Sequence, residues 1–124
     1  MNCAKKAATI LLVASGMAYS SPGHSETFFA VVNANATLAR GHGVVGVQRN
    51  PGADAGAYLV AFSQDISNCA FVATIGVSDN SGISQVGIVS VLTSNSNRAA
   101  FVQTRDRTGV SIVDRPFHLI VTCP

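Results

Sequence analysis

Hydrophobic and polar residues alternate with a period of two through most of the chain after residue 25. The clearest alternation lies in residues 58–76, where apolar side chains occupy every second position of two short runs. Such patterning, rich in aromatic and β-branched residues, is typical of strands packed on a core. The polar residues 64–68 between the two runs predict a turn. The core-facing positions are predicted to be Tyr58, Val60 and Phe62 in the first run, and Cys69, Phe71, Ala73 and Ile75 in the second.

The same criteria predict further strands on both sides of this centre. They are residues 27–32, 44–49, 86–92, 100–104, 110–113 and 117–123, with a short run at 37–40. Gly46 indicates a bulge or a close backbone approach within its strand. Residues 86–92 are apolar on both faces, which is typical of a central strand. Residues 106–109 predict the turn of a hairpin between the strands at 100–104 and 110–113.

No segment after residue 25 shows a convincing helical period. Seven or eight short strands separated by turn residues, within about a hundred residues, indicate an all-β protein. We expect a single small antiparallel β-sandwich or jelly-roll-like domain over residues 26–124.

The first 20 residues have the pattern of a secretory signal peptide. Lys5 and Lys6 form its positive region, and residues 7–18 form an apolar run too short to be a good membrane span. Cleavage is predicted after Ser20, with cleavage after Ala18 as the alternative. Residues 21–25 then form a flexible leader. The mature chain is predicted to be secreted or periplasmic and to lack a membrane span.

Composition narrows the choice of partners. Apolar residues make up 48% of the 124 residues and charged residues 11%, which argues against a disordered chain. The formal charge of +2 comes from the two lysines of the predicted signal peptide, because the six arginines after it balance five aspartates and one glutamate. A neutral mature chain lacks the basic surface of a nucleic-acid-binding protein. We therefore expect no nucleic-acid partner.

Two cysteines remain once Cys3 is removed with the signal peptide. Cys69 and Cys123 both fall on the apolar face of a predicted strand, and they form an even pair in an exported chain. This arrangement predicts a structural disulfide. A redox or metal-binding pair would need close spacing such as C-x-x-C, or partner ligands, and the sequence offers neither.

The sequence shows no constellation that points to catalysis. It contains no G-x-S-x-G, H-E-x-x-H or Walker motif. Its three histidines, His24, His42 and His118, lack the spacing of metal ligands. Asp65 and Asp79 lie in predicted loops, where aspartates more often cap turns than bind calcium. We expect a protein that is not an enzyme and that uses no cofactor and no metal.

One region of the chain is rich in charge and is the candidate binding site. Arginine forks and loop carboxylates recognise sugar hydroxyls or acidic groups. The alternative is a solvated hairpin with ordinary surface ion pairs. The region consists of Arg105, Asp106, Arg107, Asp114 and Arg115.

Four segments resemble a family of secreted bacterial β-domain proteins. They are VVNANATLARG (31–41), YLVAFSQDISNCAFVATIG (58–76), FVQTRDRTG (101–109) and DRPFHLIVTC (114–123). The resemblance covers nearly the whole mature chain and both cysteines, and it brings no catalytic residues with it. A looser similarity to terminal domains of phage tail fibres and to H-type lectins implies a trimeric β-sandwich that binds carbohydrate. This chain departs from that pattern because no shaft or coiled coil precedes its domain.

Together these features predict an exported, non-enzymatic binding module whose partner is a glycan or another cell-surface component. The first alternative is a structural subunit that assembles into an oligomer or a surface layer, because some predicted strands are apolar on both faces. A small secreted hydrolase or inhibitor is the less favoured alternative.

Overall fold

The computed structural model describes residues 25–53, 55–81 and 85–124. The predicted signal peptide and all but the last residue of the predicted leader lie outside these residues. The described chain forms eight antiparallel β-strands and no helix, in agreement with the predicted all-β sandwich. The strands are β1 (Glu26–Val32), β2 (Leu38–His42), β3 (Val44–Arg49), β4 (Ala57–Phe62), β5 (Ala70–Ile75), β6 (Ile88–Thr93), β7 (Ala99–Arg105) and β8 (Phe117–Cys123).

The strands form two four-stranded sheets that face each other. The first sheet has the order β2-β1-β8-β5, and the second has the order β3-β4-β7-β6. Three pairs of consecutive strands are hydrogen-bonded neighbours within their own sheet: β1–β2 in the first sheet, and β3–β4 and β6–β7 in the second. Every other connection crosses from one sheet to the other. The β2–β3 crossing is tight at Gly43, where a positive φ of 78° and the ring of Phe28 leave no room for a Cβ.

The core fills the space between the sheets. Its members are the inward-facing residues that the alternation predicted in β4, together with their counterparts in β1, β7 and β8. Tyr58 of the second sheet packs edge-on against Phe117 of the first, with ring centroids 5.0 Å apart. Ile66 is also fully buried, although it lies in the predicted turn between β4 and β5. That turn carries the chain from one sheet to the other, and Ile66 anchors it in the core.

The predicted disulfide is present between Cys69 and Cys123. Cys69 directly precedes β5 and Cys123 ends β8, so the bond joins two neighbouring strands of the first sheet. Its two half-cystines are 54 residues apart in the sequence. Closing a loop of this length is worth roughly 4 kcal/mol in the chain-entropy model, which is a large share of the stability of a small domain.

Two strand predictions need correction. Residues 86–92 were predicted to form a central strand, but β6 begins at Ile88 and lies at the edge of the second sheet, paired only with β7. Its outward apolar residues lie on the exposed outer face of the second sheet and do not pack into a second core. Residues 110–113 form no strand and make only the isolated bridge between Ile112 and Arg105. The turn at 106–109 is confirmed by the hydrogen bond from Gly109 N to Asp106 O, 3.0 Å.

Within the described residues, no helix is long and apolar enough to cross a membrane.

Candidate functional site

The outward face of the second sheet carries an apolar depression. Inward and outward positions alternate along β4 and β7, and the outward residues Leu59, Ala61, Ala99 and Phe101 are also apolar. The depression has a volume of about 740 Å³ and is open to solvent. We call it the outer depression. Its floor is formed by Gly46, Leu59, Ala61, Leu92, Ala99 and Phe101, and its margin includes Val45, Gln48, Asn50, Thr93, Ser94, Asn95 and Ser96.

Strand register places the floor residues in two rows. Leu59 lies opposite Phe101, which in turn lies opposite Leu92, so three large apolar side chains run across the middle of the sheet. In the next row, Ala61 has Gly46 on one side and Ala99 on the other. Small residues in this row beside large ones in the first row make the face concave.

A bulge in β3 shapes one wall of the depression. The pairing of β3 with β4 shifts between Val44 and Gly46, which confirms the bulge predicted at Gly46. Val45 has no partner in β4, and its side chain is 68% exposed at the margin. A Cβ at Gly46 would meet no atom within 4 Å, so the backbone approach suggested as the alternative is absent. Gly46 thus leaves open space above the sheet.

The margin of the depression is polar. The side-chain amides of Gln48, Asn50 and Asn95 make no hydrogen bond to any described residue, so they are available to a ligand. Beside them, the β6–β7 turn contains a local hydrogen bond, from Ser96 N to Ser94 Oγ at 3.1 Å. An apolar floor with amides and hydroxyls around it suits a ligand that has both apolar and hydroxyl-bearing surfaces.

Arg105, one of the predicted binding residues, lies on the same outward face, beyond the depression. Its guanidinium donates from Nη2 to Gln103 Oε1 at 2.7 Å, and Gln103 is the outward residue between Arg105 and Phe101. Ile88 and Ile112 flank Arg105 across the strands, and both are exposed. The charged end of the sheet is therefore continuous with the depression.

The other predicted binding residues occupy separate positions around this end. Asp106 accepts hydrogen bonds from Thr108 Oγ1 at 2.6 Å and from Thr108 N at 3.0 Å, so it caps the turn, and the Thr108 hydroxyl lowers its pKa. Arg107 is exposed in the same turn. Arg115 donates from Nε to the backbone oxygen of Val86 at 2.9 Å.

Asp114 belongs to a structural network on the inner side of the sandwich end. Its two carboxylate oxygens each lie 2.6 Å from a guanidinium nitrogen of Arg49, and Oδ1 also accepts from Gly56 N at 2.7 Å. The Tyr58 hydroxyl is 2.8 Å from Ala34 O and 3.1 Å from the same Oδ1. The hydrogen bonds from Arg49 lower the pKa of Asp114 to about 2, whereas burial, followed by the nearby carboxylate, raises the pKa of Tyr58 to about 12.

The remaining polar candidates have structural partners. Asp65 and Asp79 accept hydrogen bonds from Ser67 N and Ser81 N, which confirms that these aspartates cap turns. The His118 ring lies 3.0 Å from the backbone oxygen of Val77. Within the described ranges, no group of three or more His, Cys, Asp or Glu side chains is placed to hold a metal ion.

The structure therefore separates the five predicted binding residues. Arg105 faces outward with the depression, whereas Asp114 turns to Arg49 and Tyr58. Whether the charge-rich region binds a ligand stays a prediction. The sequence analysis missed the outer depression, although the signal was present: the positions between the core residues of 57–62 and 99–105 are mostly apolar or small.

No family model, no curated protein and no solved structure matches the chain. The resemblance to a family of secreted bacterial proteins stays a prediction, and so does the looser one to tail-fibre domains and H-type lectins.

Proposed function

We propose that this protein is an exported, non-enzymatic binding module and that a glycan is bound in the outer depression. The observation that carries the proposal is the combination of a concave apolar floor with unpartnered amides at its margin. Sugar rings present apolar C–H faces and a periphery of hydroxyls, so they match such a surface.

Phe101 and Leu59 supply the surface on which a sugar ring would lie. They are neighbours across β4 and β7, and both are half-buried, so their outer sides are accessible while their inner sides are fixed by the sheet. Placement on central strands, rather than on loops, keeps this surface rigid. A rigid surface lowers the entropic cost of binding.

Export is supported by the disulfide and by the pattern of the first 20 residues. Disulfides persist in oxidising compartments, which include the periplasm and the extracellular space. The non-enzymatic character is supported by the partners of the candidate acids, since Asp65, Asp79, Asp106 and Asp114 each accept hydrogen bonds that hold local structure.

Filling the depression without disturbing the fold tests this proposal. The Gly46→Leu variant places a branched side chain above the floor where no protein atom lies within 4 Å of its Cβ. We expect the free energy of unfolding to be unchanged or to rise by about 0.5–1 kcal/mol, because glycine in a strand is unfavourable. Affinity for a bound oligosaccharide, identified with a glycan array and measured by calorimetry, is expected to fall at least tenfold.

The matched control is Ala70→Leu, which adds a similar side chain to an exposed position on the outward face of the first sheet. Its affinity should equal that of the unmodified protein. If Gly46→Leu binds the oligosaccharide as tightly as the control does, the depression is not the binding site.

A second candidate function is self-assembly. The outward face of the first sheet carries a row formed by Phe29, Ile120 and Val72, which are 38%, 45% and 65% exposed. Three large apolar side chains in contact positions favour an interface between copies of the chain. The trimer implied by the looser resemblance is one such assembly.

A further inference from the structure

The charge around Arg105 bears on which class of glycan the outer depression would bind. An inference from this charge rests on the proposed function. We propose that the ligand is an acidic oligosaccharide, with its anionic group bound by Arg105 and its sugar rings lying over Phe101 and Leu59. The step from a glycan to an acidic glycan follows from the charge balance at this end of the sheet, from the free donors of Arg105 and from the shape of the surface between Arg105 and the depression.

Within segment 105–115 the cations outnumber the anions. Segment 105–115 contains three arginines and two aspartates, Asp106 and Asp114. Asp114 is already neutralised by Arg49 from outside the segment, in the one ion pair formed among the described residues. Within this segment, three arginines therefore remain beside a single carboxylate, which leaves an excess of two positive charges in a mature chain predicted to be neutral overall.

Arg105 is the arginine best placed to use this excess. It is half-buried, and it is held by Gln103 Oε1 at 2.7 Å and by Gly109 O at 3.5 Å. Its other N–H groups have no acceptor among the described residues. A guanidinium held by these two acceptors and flanked by apolar Ile88 and Ile112 forms stronger hydrogen bonds to an anion than a fully solvated one does.

The path from Arg105 to the depression fits one extended ligand. Phe101, Gln103 and Arg105 are successive outward residues of β7, and four residues of strand span about 13 Å. The aromatic ring, the amide and the guanidinium thus lie in a line on one face. A short oligosaccharide has this length, and its hydroxyls would meet Gln103 and the marginal amides on the way.

The shape of the depression favours a glycan over an anionic lipid. It is open along the sheet, and its margin carries amides and hydroxyls from Gln48, Asn50 and Ser94 to Ser96. An acyl chain needs an enclosed apolar cavity to be removed from water, and this surface does not provide one.

Pairs of probes that differ only in charge test the inference. The oxidised protein is titrated with tetragalacturonate and its methyl ester, and with sialyllactose and lactose. We expect the acidic member of at least one pair to bind tenfold or more tightly than the neutral member, and its affinity to fall as sodium chloride is raised from 50 to 500 mM, because charge–charge attraction is screened by salt.

Substitution of Arg105 supplies the second arm. Arg105→Gln is expected to bring the acid-over-neutral ratio close to one while the affinity for the neutral probe stays within twofold, and Arg105→Lys is expected to keep part of the preference. The control is Arg40→Gln, which removes an exposed arginine from the other sheet and should leave the ratio unchanged. Thermal unfolding of each variant verifies that it is folded.

The outcomes separate the inference from the proposed function. Equal binding of acidic and neutral probes, or an acid preference that survives in Arg105→Gln, overturns the inference and leaves the glycan-binding function standing. Binding to phosphatidylglycerol vesicles without binding to any acidic oligosaccharide also overturns it, in favour of a lipid. If no probe of either kind binds, both proposals fail.

Discussion

Asp114 links the connection between β7 and β8 to residues 49–58, which lie 56 to 65 positions earlier in the sequence. Its carboxylate is bound by Arg49 at the end of β3, by Gly56 N before β4, and by the hydroxyl of Tyr58. The sequence identified Asp114 as part of a charge-rich region, but its main partner lies 65 residues earlier. No pattern of neighbouring residues in the sequence predicts the Arg49–Asp114 ion pair. The role of this residue could therefore be recognised only once the strands were in place.

The pH dependence of stability follows from this network. The pKa of Asp114 is lowered to about 2 in the folded chain, so the folded state binds its proton less readily than the unfolded state does. The resulting stabilisation is fully present above the ordinary pKa near 3.8 and is lost as pH falls toward 2. In Asp114→Asn we expect the free energy of unfolding at pH 7 to fall by about 1–2 kcal/mol, after allowance for solvent screening of a partly exposed pair.

Urea unfolding between pH 2 and 7 measures the effect. The variant should lose less stability than the unmodified protein between pH 4 and 2, so that the two curves converge at low pH. Asp79→Asn is the control, because this carboxylate only caps its own turn and its variant should keep the steep acid limb. Parallel curves for Asp114→Asn and the unmodified protein would contradict the assignment.

At the level of strands, alternation located nearly every element, since it reports which side chains are buried within one strand. It predicted the inward faces of β4 and β5. It did not reveal that β4 and β5 belong to different sheets, because strand pairing depends on residues distant in the sequence. The apolar residues on both faces of residues 86–92 also led to the wrong prediction that β6 is a central strand. An edge strand whose outward residues line an apolar surface has the same pattern as a strand buried on both sides.

The apolar row on the first sheet gives a prediction at this same level. If this face assembles, the protein has a mass in light scattering that is a multiple of the chain mass. Phe29→Lys should then return the mass to that of a monomer, because a charge in the row is costly to bury. Leu92→Lys, on the outward face of the second sheet, should leave the assembly intact. A monomeric mass for the unmodified protein at all concentrations rules out self-assembly.

The whole molecule combines a rigid frame with two different outward faces. The frame consists of the shared core and the Cys69–Cys123 bond, and both were predicted from the sequence because core patterning and paired cysteines are visible in it. The concavity of the second sheet was not visible, because it depends on small residues of three different strands, Gly46, Ala61 and Ala99, coming together in one row. Export, glycan binding and the family resemblance remain predictions for experiment.

The most direct test of the binding face is a titration of the ¹⁵N-labelled, oxidised protein with an acidic oligosaccharide, followed by amide chemical shifts. We expect the largest shifts along one surface, from Gly46 and Gln48 through Leu59 and Phe101 to Arg105. Amides of β1 and β5 in the first sheet should change little. Shifts concentrated on the first sheet, or no shifts at millimolar ligand, would contradict the assignment of the outer depression as the site.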